Sequence, residues 1–154
     1  MTTLILYASK YGAAKIIAGR IADKMGDVTI CDIKQSKIPP ISSFDRVIIG
    51  SSLYAGSIRR EAKDFIAKNA DELSGKTLGL FLSCFAQNDD DFERNFPSEL
   101  LQAAKVKAAL GGVFDPKKAN AIERLIVKAV MKQAGYLERI DDNAISQFVS
   151  DLRN

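Results

Sequence analysis

The stretch that decides the fold is Leu4-Ile5-Leu6-Tyr7-Ala8-Ser9-Lys10-Tyr11-Gly12-Ala13-Ala14. Its first five residues form a continuous apolar run, which is typical of a strand buried on both faces of a parallel sheet. The next residues are small or polar and lead directly into residues 13–25, where apolar side chains recur every four positions. Gly26 stands where the C-cap of a helix belongs. This stretch therefore predicts a strand, a tight turn and a helix.

The same alternation continues along the chain. Further strands are predicted at residues 28–33, 47–50, 77–82 and 106–114, and further helices at residues 58–73, 97–105, 116–135 and from 142 onward. Asp115 and Pro116 fit the N-cap and first position of the long helix, and Gly111-Gly112 suggest a bulge or a sheet edge in the fifth strand. Five strands separated by helices imply right-handed crossovers and an open, doubly wound parallel α/β sheet with helices on both faces.

Composition limits the chemistry. With 154 residues and 47% apolar content, we expect residues 1–154 to form a single domain. The chain has no histidine, so it has no histidine-based triad or metal site, and two cysteines are too few for a disulfide framework. The N-terminus lacks the pattern of a signal peptide and no apolar run approaches ~20 residues, so we expect a cytoplasmic protein.

Ligands of doubly wound sheets bind beyond the carboxyl ends of the strands. The loop after the first strand, residues 9–14, runs into a helix whose free N–H groups and dipole can bind a phosphate, with the Ser9 hydroxyl as a further donor. Gly12 allows the backbone to approach an anion closely. The alternative is an ordinary turn with a helix cap.

Two further loops carry aromatic residues between small ones. Residues 51–57 include Leu53 and Tyr54, which suit a flat slot for a ring or, alternatively, cover the end of the sheet. Residues 83–88 include Phe85 and Cys84. We interpret Cys84 as a buried small residue rather than a nucleophile, because no histidine is available to activate it. Cys31, on a strand, is interpreted as structural.

Competing α/β binders lack their signatures here. The G-x-G-x-x-G pattern of dinucleotide folds and the G-x-x-x-x-G-K-[ST] pattern of P-loop proteins are absent. A receiver domain needs acidic residues where this chain has Ser9-Lys10 and Gly50-Ser51. A phosphate site beside a slot for a planar ring, without acids for Mg²⁺, indicates flavin mononucleotide (FMN).

The chain resembles the flavodoxin-like family. Residues 9–14 match its phosphate loop, and residues 47–56 resemble its third strand and first flavin loop. More narrowly, residues 4–12, 47–65 and 109–135 are similar to the branch of menaquinone-dependent protoporphyrinogen dehydrogenases and their flavodoxin-domain relatives. The resemblance implies the strand order 2-1-3-4-5, bound FMN, and chemistry carried by the flavin with no catalytic side chain.

By position, the resemblance places the phosphate on residues 9–14 and the flavin ring between residues 53–57 and 83–87. The implied cofactor-binding residues are Ser9, Lys10, Tyr11, Gly12, Ala13, Ala14, Ser52, Leu53, Tyr54, Ala55, Gly56, Ser83, Cys84, Phe85 and Ala86. Two features depart from the branch. Ala14 lacks a hydroxyl often present there, and the segment before the fifth strand is shorter and reads Asn88-Asp89-Asp90-Asp91.

Two functions stay open at this point. One is an FMN enzyme passing electrons to a quinone-like acceptor, with protoporphyrinogen as one candidate substrate, and the other is an electron carrier with protein partners. A flavin-free interaction module is a third reading. Carrier flavodoxins are strongly acidic, whereas this chain has a net charge of +3, which favours the enzyme.

The helix at residues 117–134 carries a basic stripe of Lys117, Arg124, Lys128 and Lys132 beside apolar residues. It is interpreted either as a solvated lysine face or as a peripheral contact with the inner face of a membrane, near a quinone pool. We expect no nucleic-acid partner, because no basic patch is interleaved with exposed aromatics. The pattern does not define an oligomeric state.

Overall fold

A computed structural model describes the chain except Ser36, Ala86, Lys118 and residues 132–136, and describes only the backbone at Glu123, Ile126, Val127, Val130, Met131 and Leu137. The strands are β1 Thr3–Ala8, β2 Val28–Asp32, β3 Arg46–Tyr54, β4 Ser57–Ile58, β5 Thr77–Ser83, β6 Ala104–Ala109, β7 Gly111–Phe114 and β8 Leu137–Ile140. The helices are α1 Ala13–Met25, α2 Arg60–Ser74, α3 Asp91–Asn95, α4 Ser98–Ala103, α5 Ala121–Met131 and α6 Asp142–Arg153, with a 3-10 turn at Ile41–Ser43.

The main sheet has the order β2-β1-β3-β5-β6, and all four of these pairings are parallel. These are the five predicted strands, so the doubly wound parallel sheet and its order 2-1-3-4-5 are confirmed. β4 pairs antiparallel with the end of β3, while β7 and β8 form a separate antiparallel pair. Strands β4, β7 and β8 were not predicted as separate elements.

The central strands are buried on both faces, as their continuous apolar runs predict. On one face, Leu6 and Ile49 pack with α2 and α4, and on the other, Ile5 and Ile48 pack with α1 and α6. Gly50 is the point of closest approach in this core, because a Cβ there would lie 1.9 Å from Phe81 Cζ. The absence of a side chain at Gly50 therefore makes room for the Phe81 ring.

The prediction for residues 106–114 is wrong in one respect, since they do not form one strand. β6 ends at Ala109, and the chain then leaves the main sheet to form the antiparallel β7–β8 pair. The cause is the close approach at Gly111, which has a φ of +99°. A Cβ at Gly111 would lie 2.0 Å from the Arg139 carbonyl oxygen, so the pairing of β7 with β8 requires glycine.

Other boundaries also differ from the sequence predictions. The helix expected from Pro116 begins at Ala121, because the Asp115 carboxylate accepts the Lys117 N–H at 3.0 Å in a local turn instead of capping a helix. Its predicted end at Gly135 lies outside the described residues. Helix α3 was missed in a polar stretch without periodicity, and α4 ends at Ala103, before the predicted Lys105.

The predicted helix α1 and its glycine C-cap are confirmed. α1 spans Ala13–Met25, and the Gly26 N–H donates to the Ala22 carbonyl oxygen. In the described part of the chain, no helix has both the length and the apolar content needed to cross a membrane.

Candidate functional site

A cleft lies at the carboxyl ends of β1, β3 and β5, beside β7. Its volume is about 390 Å³ including the open mouth. It is lined by Lys10, Tyr11, Ala13, Ser52, Leu53, Tyr54, Ser83, Cys84, Phe85, Gly112 and Val113. Helices α1 and α2 cover opposite faces of the sheet, so the cleft lies at the topological switch point between β1 and β3.

The loop between β1 and α1 is shaped by a local hydrogen bond. The Ser9 Oγ accepts the Gly12 N–H at 2.8 Å, and Gly12 adopts a φ of +89° as the N-cap of α1. The first helical hydrogen bond runs from the Ile16 N–H to the Gly12 carbonyl oxygen. The N–H groups of the first turn therefore have no intrahelical partner and form the positive end of the helix dipole. Such an end suits a phosphate.

The hydroxyls of two serines of β3 link it to neighbouring segments, Ser52 to this loop and Ser51 to the residue before α2. The Ser52 Oγ accepts the Lys10 N–H at 3.0 Å. The buried Ser51 Oγ accepts the Arg59 N–H at 2.9 Å and donates to the Ser52 carbonyl oxygen at 2.9 Å. Ser51 was not among the predicted site residues, although it supports one of them. These bonds hold the start of α1 in a fixed position relative to β3 and α2.

The residues predicted as a loop after the third strand are partly strand. β3 continues to Tyr54 because it pairs with β4 across the two-residue turn Ala55-Gly56. Both turn residues have positive φ values, +50° and +80°, the handedness that suits a tight hairpin. Tyr54 is 43% exposed, and the Lys10 Nζ lies 3.4 Å from the centre of its ring.

The opposite wall comes from two segments, residues 83–85 and residues 111–113. The Cys84 N–H donates to the Gly111 carbonyl oxygen at 2.9 Å, which brings β7 against the end of β5. Gly112 and Val113 thereby line the cleft, although sequence reasoning treated this pair of glycines only as a bulge or an edge. Phe85 packs with Tyr11 against Phe114.

The Cys84 thiol is held in its protonated form. Burial, together with the negative charge of Asp91, raises the pKa of Cys84 to about 11. Asp91 is fully buried, and its Oδ2 accepts the Asn88 N–H at 2.7 Å. This agrees with the interpretation of Cys84 as a small packing residue rather than a nucleophile. Burial also raises the pKa of Cys31, which lies on β2 and is interpreted as structural.

Asn95 connects the two sides of the site and was missed by sequence reasoning. Its Oδ1 accepts the Ile58 N–H at 2.9 Å, and its Nδ2 donates to the carbonyl oxygens of Gly56, at 3.0 Å, and Asp91, at 2.7 Å. Nothing in the polar stretch around Asn95 indicates this role from sequence, because the bonds to Ile58 and Gly56 depend on the tertiary fold. The turn at Gly56 is thus held by a residue of α3.

The predicted site residues fall into three groups. Nine line the cleft: Lys10, Tyr11, Ala13, Ser52, Leu53, Tyr54, Ser83, Cys84 and Phe85. Five shape it from behind or from its rim: Ser9, Gly12, Ala14, Ala55 and Gly56. Ala86 lies outside the described residues. The structure therefore brings together side chains from the three predicted loops, and their role in cofactor binding stays a prediction.

The geometry is that of a doubly wound α/β protein with an aromatic-lined cleft at its switch point, beside a helix start of the kind that suits an anion. The sequence matches the flavodoxin domain family over residues 4–141, and the chain belongs to that family. It is 22% identical over 147 residues to protoporphyrinogen IX dehydrogenase [quinone] of Escherichia coli K12, a match covering 88% of this chain and 81% of that protein.

Solved structures share the fold. The flavodoxin of Streptococcus pneumoniae TIGR4 superposes with a TM-score of 0.65 and 21% identity, covering 99% of this chain and 98% of that one. A flavoprotein of Lactobacillus acidophilus NCFM solved in complex with FMN superposes with a TM-score of 0.51 and 16% identity, covering 72% of this chain and 91% of that one.

Proposed function

We propose that the protein is a flavoprotein that binds FMN in the cleft and uses it as an oxidoreductase. The family match and the FMN complex of a structural neighbour support FMN as the cofactor. The single observation that carries the proposal is the start of α1 after Gly12. The N–H groups of its first turn have no intrahelical partner and lie beside a cleft lined by aromatic and apolar side chains.

The residues present fit this cofactor. The first turn of α1 and the Ser9 hydroxyl supply donors for a phosphate, and the residues on either side of the cleft, Tyr54 and Phe85 among them, supply flat apolar surfaces for a ring. The first-turn N–H groups are independent of the side chain at Ala14, so its missing hydroxyl removes one donor and leaves the others. FMN supplies the redox chemistry, and the chain supplies position and polarity.

For the reaction, we propose electron transfer from an organic donor to a quinone. The donor loses a hydride equivalent and a proton, and the quinone gains the same two electrons and two protons as it becomes a quinol. Protoporphyrinogen is the first donor to test, because a relative bears the name protoporphyrinogen IX dehydrogenase [quinone]. The near balance of 22 basic against 19 acidic residues also favours an enzyme over an acidic carrier.

A flavodoxin-type electron carrier is the second candidate, favoured by structural neighbours such as the flavodoxin of Streptococcus pneumoniae. A turnover assay separates the two: FMN-loaded protein is reduced and then offered a quinone, and in parallel a ferredoxin-type protein. Repeated quinone turnover, with protoporphyrinogen consumed when it is the donor, supports the enzyme. Electron transfer to the protein acceptor alone supports the carrier.

We also propose that α5 contacts an anionic membrane surface, where a quinone would be found. Ile122 and Leu125 lie one turn apart on α5 and are 70% and 68% exposed, and Lys128 is exposed on the next turn. Vesicles with an anionic lipid fraction should co-sediment the protein, and the double variant Ile122→Glu/Leu125→Glu should remain in the supernatant. Equal sedimentation of both proteins, or of neither at low salt, contradicts this contact.

A further inference from the structure

Lys10 belongs to the loop that suits a phosphate, but its ammonium group lies over the Tyr54 ring. The Lys10 N–H is anchored on the Ser52 Oγ at 3.0 Å, so the position of its backbone is fixed at the edge of β3. From there the side chain extends to Tyr54, and the Nζ lies 3.4 Å from the centre of that ring and 5.6 Å from the centre of the Tyr11 ring. The positive charge is thereby placed near two aromatic rings of the same wall of the cleft.

This placement has a clear physical cause. A cation is attracted to the face of an aromatic ring, by roughly 0.5–1 kcal/mol at an exposed site and more where water is excluded. Tyr54 is 43% exposed, so this contact belongs to the weaker, solvent-exposed class. Of the described residues that line the cleft, Lys10 is the one that carries a charge. Its field acts across a largely apolar space, where screening by water is reduced.

Another charge acts on the same cleft from the opposite side. Asp91 is buried behind Cys84, and its negative charge adds to burial in raising the pKa of that thiol. A group that gains electrons in the cleft is therefore disfavoured by Asp91 and favoured by Lys10. Lys10 itself lines the cleft, whereas Asp91 lies behind Cys84, so the charge of Lys10 acts on such a group more directly than that of Asp91.

We propose that Lys10 favours the reduced state of the cofactor over the oxidised state, and so raises its reduction potential. This inference rests on the proposed function, namely that the cleft binds FMN. Two electrons from the organic donor, taken up with one proton, leave the reduced flavin ring with one more negative charge than the oxidised ring. A positive charge beside the ring wall therefore stabilises the reduced state more than the oxidised one. A lysine that served only the phosphate would stabilise both states equally.

The test compares wild type with Lys10→Gln, Lys10→Arg and the control Lys24→Gln. Lys24 lies in the last turn of α1, roughly 17 Å along the helix from its start, so the control removes the same charge far from the cleft. Dissociation constants for oxidised FMN are measured by fluorescence titration. The midpoint potentials of bound and free FMN then give the affinity of the reduced state by a thermodynamic cycle.

In Lys10→Gln, the preference for reduced over oxidised FMN is expected to fall about tenfold, which is about 30 mV for a two-electron couple. Lys10→Arg should retain the wild-type ratio and Lys24→Gln should leave it unchanged. If Lys10→Gln weakens both redox states equally, the lysine serves the phosphate and this inference is overturned. If wild-type protein shows no saturable FMN binding, the proposed function fails and this inference fails with it.

Discussion

The two walls of the cleft are built in different ways. The first wall, residues 9–14 with residues 51–54, lies at the ends of the neighbouring strands β1 and β3, where the hydroxyls of Ser9, Ser51 and Ser52 each accept a backbone N–H. The second wall, residues 83–85 with residues 111–113, joins the end of β5 to β7, which in turn pairs with β8. The first wall therefore depends on hydrogen bonds to serine hydroxyls, and the second depends on backbone contacts of β7 with Cys84 and with residues 137–140.

Because the two walls rest on different kinds of contact, we expect a substitution in one wall to leave the other intact. A change in the first wall removes hydrogen bonds to serine hydroxyls or alters the backbone at the start of α1. A change in the second wall disturbs the approach of two distant segments. The following substitutions separate these effects, with unfolding free energies measured by urea denaturation at neutral pH.

The largest effect is expected from Gly111→Ala in the second wall. Both the φ of +99° and the 2.0 Å distance from an added Cβ to the Arg139 carbonyl oxygen oppose a side chain. We expect a loss of about 3 kcal/mol or more in the free energy of unfolding. Gly26→Ala is the matched control, since Gly26 has a φ of +94° and open space around it, and should cost about 1 kcal/mol. Equal losses at both positions would contradict the proposed close approach.

Ser51→Ala in the first wall is expected to cost about 2 kcal/mol. The substitution leaves the half-buried Arg59 N–H without its acceptor at 2.9 Å and removes the donor to the Ser52 carbonyl oxygen. FMN affinity should fall as well, because the position of β3 relative to the helix start is loosened. The exposed Ser42 provides the control, and Ser42→Ala should change the stability by less than about 0.5 kcal/mol.

Gly12→Ala should cost about 1 kcal/mol in stability, because Gly12 has a φ of +89°. Its larger consequence is for binding: a displaced helix start should weaken FMN by about tenfold or more, from the loss of roughly 1.4 kcal/mol in donor alignment. Gly19→Ala in the same helix has nothing within 4 Å of the added Cβ and should stabilise by about 0.5–1 kcal/mol. Unchanged FMN affinity in Gly12→Ala would argue against phosphate binding at this loop.

The last prediction concerns the pH dependence of stability, which appears only in alkaline solution and not at neutral pH. The folded protein raises the pKa of Cys84 from its ordinary 9.0 to about 11, chiefly through burial and then through Asp91. The unfolded chain therefore releases this proton first, and stability falls as the pH rises from about 9 to about 11. Cys84→Ser should reduce this decline, whereas Tyr7 and Cys31, which also have raised pKa values, contribute equally to both proteins. Identical pH profiles for the two proteins would contradict the assignment.

In Asp91→Asn, the pKa of Cys84 should fall while remaining above 9.0, because burial is the larger cause. Thiolate absorbance during an alkaline titration measures this change directly. A Cys84 pKa that stays at about 11 would show that the charge of Asp91 does not reach the cleft wall.

Sequence patterns predict those parts of the site that follow from local periodicity. The strand before Ser9, the helix from Ala13 and the Gly26 cap were predictable because buried strands, helix caps and tight turns have local signatures. The order of the strands in the main sheet was also predictable, from the alternation of strands and helices together with the family resemblance. The contribution of residues 9–14, 52–54 and 83–85 to one cleft follows from that order.

The remainder depends on contacts between distant residues. Gly111 departs from the sheet because of an approach to Arg139, 28 positions further along the chain. Asn95 bonds to Gly56 and Ile58, and neither partner can be inferred from the polar stretch that contains it. The sequence prediction placed the start of α5 too early, at Pro116 instead of Ala121. Asp115 forms a local turn with Lys117, and the same residues would also suit a helix cap.

Titration of the purified, flavin-stripped protein with FMN tests the central claim most directly. We expect saturable binding of one FMN per chain, with absorbance near ~450 nm that bleaches on reduction, and weaker binding of riboflavin, which lacks the phosphate. Gly19→Ala should titrate as the wild type does, and Gly12→Ala should require more FMN. Absence of saturable binding, or equal affinity for riboflavin and FMN, would contradict an FMN site built on the start of α1.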